Sequence, residues 1–128
     1  MSYLIIGASS GLGRELALRF AKEKNNLILI SRDIRDLNAI KSDLEHRHSI
    51  KVKCIEIDFS SIEEINQKLF INEETLKNLK GILFPIGLMF EHDNFELNIN
   101  HASKLIYANF LSISFTLNKL SGLLNKFI

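Results

Sequence analysis

The sequence is poor in the features that mark a cross-linked, metal-bound or membrane-spanning protein. It holds one cysteine, Cys54, in 128 residues, so no internal disulfide can form, which suits a reducing compartment. Cys54 lies in an apolar run and reads as a small buried residue rather than a reactive thiol. The four histidines, His46, His48, His92 and His101, lack metal-ligand spacing. His46 and His48, two apart, do not share a helix face, and all four read as surface or loop residues. No apolar run approaches membrane-spanning length. The opening run at residues 3–6 is too short for the core of a signal peptide and meets glycine at once, so a cytoplasmic location is expected. Sixteen basic and fifteen acidic side chains leave a formal charge of +1, which offers no electrostatic case for a nucleic-acid or membrane partner. No repeat, linker or low-complexity tract divides the chain. With 46% hydrophobic and 24% charged residues, it reads as one soluble globular domain over residues 1–128.

What remains is an alternation of short apolar runs and amphipathic segments. Residues 3–6 form an apolar run that ends in glycine, as in a parallel strand covered on both faces. From Gly11 to about residue 24, Leu12, Leu16 and Phe20 recur every four positions, with Ala17 and Ala21 beside them, which is a helical period. A second apolar strand is expected over residues 27–30. Asp33 can cap a second helix whose buried face carries Leu37, Ile40 and Leu44. A third strand follows over 52–57. Ser61-Ile62-Glu63-Glu64 fits a capping box and opens a helix through about residue 70. Residues 72–80 are polar, with at most a short turn of helix, and a fourth strand spans 82–84. Pro85, the single proline, cannot donate to a ladder and belongs where that strand ends. Residues 87–98 read as an acidic loop. A long helix then starts at Asn100 or His101 and passes Leu120, with Leu105, Phe110, Ile113, Leu117, Leu120 and Leu124 as its apolar stripe. Strands alternating with helices imply βαβ units and a parallel sheet. Right-handed crossovers give the strand order 3-2-1-4, half of a doubly wound α/β fold.

Chemistry is concentrated in the first turn, Gly7-Ala8-Ser9-Ser10-Gly11-Leu12-Gly13. It lies between a strand and a helix. A tight turn and a close approach of backbone to a pyrophosphate each need a residue without Cβ. The free N–H groups of the helix start, together with its dipole, then favour phosphate. Glycines alone also suit a ligand-free strand-to-helix turn, and the strand–turn–helix context is what favours the ligand. At the end of the second strand, NAD-selective sites carry an acid for the ribose 2′-hydroxyl. This chain has Ser31-Arg32, which suits a 2′-phosphate, with Asp33 assigned to capping. NADP(H) is therefore the expected cofactor and NAD(H) the lesser alternative.

The run Ile5-Ile6-Gly7-Ala8-Ser9-Ser10-Gly11-Leu12-Gly13 closely resembles the cofactor loop of the short-chain dehydrogenase/reductase family, with its G-x-x-x-G-x-G spacing. Ile6 stands where that family has threonine, which removes one hydroxyl and leaves the backbone cradle. The resemblance implies a Rossmann-type domain holding a dinucleotide on Gly7, Ser9, Ser10, Gly11, Leu12 and Gly13. It assigns Asp58, followed by Phe59, to the adenine ring, although a lone Asp there also reads as a loop or capping carboxylate. Asn109 in Tyr107-Ala108-Asn109 matches the family's mid-helix asparagine, a supporting catalytic role. A tolerated polar residue is the alternative reading there. The family's Asn-Asn-Ala-Gly becomes Phe84-Pro85-Ile86-Gly87, which keeps only Gly87.

Family members continue into a fifth strand with a serine and a helix with Tyr-x-x-x-Lys. This chain ends at Ile128, and its tyrosines, Tyr3 and Tyr107, have Gly7 and Leu111 four places on. The resemblance thus implies the NADP(H)-binding part of an oxidoreductase that moves hydride between nicotinamide and a small carbonyl or alcohol substrate. The chain is expected to be truncated before the catalytic residues and inactive alone. A non-catalytic NADP(H)-binding module, or a subunit whose catalytic half lies on another chain, is the alternative. With strand four an edge, and Phe110 and Phe115 partly bare, the chain is also expected to be fragile or to form homo-oligomers.

Overall fold

A computed structural model describes residues 1–9, 11–87 and 98–124. Strands β1 (Ser2–Ile6), β2 (Asn26–Ser31), β3 (Val52–Glu56) and β4 (Leu79–Leu83) alternate with helices α1 (Gly11–Lys22), α2 (Ile34–His48) and α3 (Ile62–Ile71). After β4 come α4 (Ile99–Ile106), a π-helical segment (Tyr107–Leu111), α5 (Ser112–Leu120) and a short 3₁₀ turn (Ser121–Leu123). The sheet is parallel and four-stranded in the order β3-β2-β1-β4, as the alternation predicts.

The central strands β1 and β2 are apolar over residues 4–6 and 27–30 because both faces are buried there, whereas the outer strands carry exposed Lys53, Glu56 and Lys80. Leu4, Ile6, Ile28 and Ile30 face a core that also holds Ile65 and Leu69 of α3 and Leu120 of α5. The alternate residues Ile5, Leu27 and Leu29 face the other core, with Ala17 and Ala21 of α1 and Leu37, Ile40 and Leu44 of α2. The two-residue period of a strand thus sends neighbours to opposite layers. Asp33 caps α2 by accepting from the Arg35 and Asp36 amides at 2.9 and 3.4 Å. Ser61 caps α3 by accepting from the Glu64 amide at 3.2 Å. Glu64 does not return the bond to Ser61 as a full capping box would. It accepts instead from the Asp58 amide at 3.2 Å. Cys54 is half-buried and its thiol donates to the Leu37 carbonyl at 3.4 Å, while burial pushes its pKa above the ordinary value.

Several boundaries and faces differ from the sequence reading. On α1 the buried stripe is Gly13, Ala17 and Ala21, while Leu12 is 66% exposed. Small residues lie underneath because the helix approaches the sheet closely. A Cβ on Gly13 would fall 1.8 Å from the Gly7 carbonyl oxygen. Residues 72–78 form turns, with the Leu76 amide bonded to the Asn72 carbonyl at 3.0 Å. β4 starts at Leu79, three residues before the expected position, and the register shifts between Ser2 and Tyr3. Gly81, a poor strand former, belongs there because the Tyr3 ring occupies the space a side chain would need. Leu124 bridges Leu79 in parallel, so the β4 edge is covered at that point.

The long helix starts at Ile99, capped by Asn98, and the π segment interrupts it. An inserted residue turns the following helix by roughly 100°, so one unbroken period misassigns the faces. Ser112, Thr116 and Leu120 are the buried positions of α5. Thr116 is accommodated by donating its hydroxyl to the Ser112 carbonyl at 2.7 Å. Of the expected stripe, Phe110 is 64% exposed and Leu117 is also exposed. His46 and His48 both lie on α2, His46 exposed as expected and His48 half-buried. Among the described residues the buried Nε2 of His48 has no hydrogen-bond partner, and the His48 carbonyl accepts from the Lys24 ammonium at 2.7 Å. His92 and the acidic loop at 88–97 lie outside the described residues.

The contact at Gly13 gives a direct test. Gly13→Ala sets a methyl group against backbone that cannot rotate away, and overpacking of this kind costs about 1–3 kcal/mol, with a backbone clash at the upper end. Gly122→Ala meets nothing within 4 Å and is expected to be neutral. Urea unfolding reads both, and equal midpoints for Gly13→Ala and the parent chain would overturn the packing account.

Candidate functional site

The strand order reverses between β1 and β4, since β2 and β3 lie to one side of β1 and β4 to the other. Segments leaving the carboxyl ends of the strands diverge there, and in open parallel sheets this is where ligands bind. A cleft of about 260 Å³ opens at this place. Gly7 and Ser9 line it after β1, Ser31 and Arg32 at the end of β2, Ile57 to Ser60 after β3, Pro85 to Gly87 after β4, and Ala108 from the π segment.

Gly7 anchors the floor. Its φ is +91°, in the left-handed region that favours glycine, and its amide donates to the Ile30 carbonyl at 2.8 Å. A side chain at Gly7 would reach the Pro85 carbonyl oxygen at 3.0 Å, so the floor of the cleft is backbone. Gly11 has φ +53° and open space where its Cβ would be. A backbone cradle free of side chains fits a pyrophosphate.

The charged groups fall into two sets. Arg32 is exposed on the cleft wall and, among the described residues, makes no hydrogen bond or ion pair. Asp33 does not line the cleft. Besides capping α2, its carboxylate pairs with the Arg35 guanidinium at 3.2 Å, and that hydrogen bond is the main cause holding its pKa below the ordinary value. The Ser31 hydroxyl accepts from the Asp33 amide at 3.1 Å, so it helps to shape the turn as well as lining the cleft. Asp58 accepts from the Ser60 amide at 2.9 Å and the Ser60 hydroxyl at 2.7 Å. The Ser60 backbone bond first, then its side-chain bond and the charge of Arg32, hold the Asp58 carboxyl below its usual range.

Of the residues singled out in the sequence, Gly7, Ser9, Ser31, Arg32, Asp58, Phe59 and Gly87 converge on this cleft. Gly11, Leu12 and Gly13 form the first turn of α1 and do not line it. Ser10 lies outside the described residues. Asn109 does not line it either, though its Oδ1 is 3.7 Å from where a Gly87 Cβ would sit. The sequence reading missed Ile57, Ser60, Pro85, Ile86 and Ala108. Ser60 could have been found, because an Asp followed two places later by Ser is a recurrent side-chain-closed turn. Ala108 could not, because only the π segment turns it inward.

A family profile described as short chain dehydrogenase matches residues 2–126. Among curated proteins, the Very-long-chain 3-oxoacyl-CoA reductase of Bos taurus is 28% identical over 114 residues, 86% of this chain and 36% of the relative. The one from Vanderwaltozyma polyspora is 38% identical over 83 residues, 65% of this chain and 22% of the relative. This chain therefore spans well under half the length of the curated relatives it matches. Among solved structures, an alcohol dehydrogenase from Thermococcus sibiricus complexed with 5-hydroxy-NADP superposes with a TM-score of 0.86 at 23% identity, covering 95% of this chain and 52% of that one. A short-chain dehydrogenase from Sphingobium yanoikuyae in complex with NADPH gives 0.80 at 22% identity, over 94% and 47%. These likenesses show the fold.

The Asp58 turn predicts a pH dependence. A carboxyl with a lowered pKa lends stability in full above its ordinary value of 3.8, and that stability is lost as the pH falls through the lowered native value. The charge of Asp58 is then constant between about pH 5 and 8. Carboxyl-carbon NMR titration is expected to place its midpoint below 3.8 and to move it upward in Ser60→Ala. A midpoint above the ordinary value in the parent chain would contradict the described turn.

Proposed function

The chain belongs to the short-chain dehydrogenase family, and from that premise we propose that residues 1–128 bind NADP(H) for an oxidoreductase acting on a carbonyl or alcohol substrate. The observation that carries the reading is the cleft at the sheet's reversal point, floored by the Gly7 backbone and flanked by Arg32. In this reading Gly7, Ser9, Ser10 and Gly11 hold the pyrophosphate, with Leu12 and Gly13 opening the helix whose dipole faces it. Asp58 and Phe59 bound the adenine side, and Gly87 the ribose towards the nicotinamide. The nicotinamide, when bound, supplies or accepts the hydride. Asn109 serves beside Gly87 as a supporting polar group.

NADP(H) is proposed over NAD(H) because the acid that could favour NAD(H), Asp33, is bound to Arg35 and the start of α2, whereas Arg32 has no such partner among the described residues. The names of the curated relatives suggest a 3-oxoacyl thioester as the carbonyl compound. The single cysteine suits a reducing compartment such as the cytoplasm. The exposed Phe110 and Leu117 suit association with a second copy. The absence of a Tyr-x-x-x-Lys pair from residues 1–128 favours one further reading. In that reading the chain holds the dinucleotide, and a group outside these residues carries the proton.

Arg32→Ala is expected to weaken NADPH about tenfold to a hundredfold, the equivalent of a charge-assisted bond of about 1.5–3 kcal/mol, and to leave NADH nearly unchanged. Fluorescence titration measures both, and equal NADH and NADPH affinities in the parent chain would remove the proposed preference.

Residues 1–128 alone are expected not to oxidise NADPH with ketones, aldehydes or a 3-oxoacyl thioester. Hydride addition without an acid at the carbonyl oxygen must build an unprotonated alkoxide, and general acid catalysis typically contributes about a hundred- to ten-thousandfold. The Asn109 amide is no usable proton donor near neutral pH. Sustained loss of NADPH absorbance, abolished by Asn109→Ala, would show that these residues carry their own catalytic apparatus.

A further inference from the structure

Tyr107 has no part in the proposed cofactor site, yet its side chain makes a specific long-range bond. It opens the π segment, and its phenol oxygen accepts from the Ile62 amide at 2.9 Å, 45 positions away in sequence. Ile62 is the first residue of α3. A helix leaves its first amides without intrahelical partners, and at α3 they are met from different directions. Ser61 takes the Glu64 amide, and Tyr107 takes the Ile62 amide from another element. Glu64 in turn holds the Asp58 amide at 3.2 Å, and the Ser61 amide donates to the Asp58 carbonyl at 3.3 Å. The start of α3 is thus tied on one side to Asp58, Phe59 and Ser60, which line the cleft, and on the other to Tyr107. The next residue, Ala108, lines the same cleft from the π segment.

We infer that Tyr107 is a positioning residue whose phenol links these two walls and sets the cleft for the adenosine end of the cofactor. The inference rests on the NADP(H) reading above. The link itself is independent of any ligand. The π turn is part of the device. The Ser112 amide bonds the Tyr107 carbonyl five residues back, and within this turn Tyr107 reaches α3 while Ala108 meets the cleft.

Two substitutions in the full chain break the link from opposite sides. Tyr107→Phe removes the acceptor. Ile62→Pro removes the donor at a position where helices accept proline, and the preceding Ser61 already has the extended backbone that proline requires, with φ −123° and ψ 109°. Each is expected to weaken NADPH and 2′,5′-ADP by about five- to thirtyfold, the effect of one lost hydrogen bond to a partly buried amide. Nicotinamide mononucleotide is expected to bind as in the parent. The double variant is expected to be no worse than either single one, because both delete the same bond. Amide hydrogen exchange at Ile62 should quicken in Tyr107→Phe and stay unchanged in the control Tyr3→Phe. A general loss of packing would instead add in the double variant and would weaken both halves of the cofactor alike, and either result overturns the inference. Parent-like 2′,5′-ADP affinity in a Tyr107→Phe chain with quickened Ile62 exchange overturns it alone. Failure of the parent chain to bind NADPH or 2′,5′-ADP overturns it together with the cofactor reading. If Tyr107→Phe does not fold, Ile62→Pro decides by the same comparison of cofactor halves.

Discussion

Helix α1 lies so close to the turn leaving β1 that a methyl group at Gly13 would fall 1.8 Å from the Gly7 carbonyl oxygen. Much of the site follows from that approach. The backbone of Gly7 can form the floor of the cleft because no side chain intervenes between strand end and helix. The helix in turn can pack on the sheet through Ala17 and Ala21, leaving Leu12 exposed. Interiors are dense enough that such an approach is either accommodated by the sequence or lost. Here it is accommodated by glycine where backbones meet and by alanine further along the same face. The second layer is set differently. α5 packs through Ser112, Thr116 and Leu120; the Thr116 hydroxyl is satisfied within the helix, whereas the buried Ser112 Oγ has no hydrogen-bond partner among the described residues.

The electrostatics of the cleft depend on which acid is already engaged. Asp33 and Asp58 both follow strand ends in the sequence, and their chemistry is the same. Asp33 is consumed by the α2 cap and Arg35. Asp58 closes a local turn on Ser60 and remains at the cleft. Among the described residues, Arg32 therefore shares the cleft lining with the Asp58 carboxylate, while Asp33 is held in the α2 cap. This division supports the choice of a phosphorylated ribose, because a second free acid beside Arg32 would oppose a 2′-phosphate by like-charge repulsion.

The fold was readable because its determinants are local and repeated. Apolar runs bounded by glycine or polar caps, alternating with helical periods, gave the order β3-β2-β1-β4 once right-handed connections were assumed. Asp33 and Ser61 could be named as caps for the same reason, since a cap is a contact over two or three residues. Where the reading erred, a distant partner or a local break in helical period was responsible. β4 begins at Leu79 because β1 pairs with it there and the Tyr3 ring covers Gly81. The stripe of the last helix was misassigned because the π segment changes the phase of the helix between Ile106 and Ser112.

The sequence by itself determined the layered α/β fold, the glycine turn and the residues at the strand ends, because strand period, helix period and turn chemistry act over a few neighbouring positions. Only the tertiary structure decided which of those residues share one cleft. It set Arg32 on the cleft wall beside the segments after β3 and β4, brought Ala108 to the cleft, and set the Tyr107 phenol on the first amide of α3. Those outcomes depend on contacts between segments tens of residues apart, and the spacing of residues along the chain carries no record of which distant backbone amide a side chain will meet.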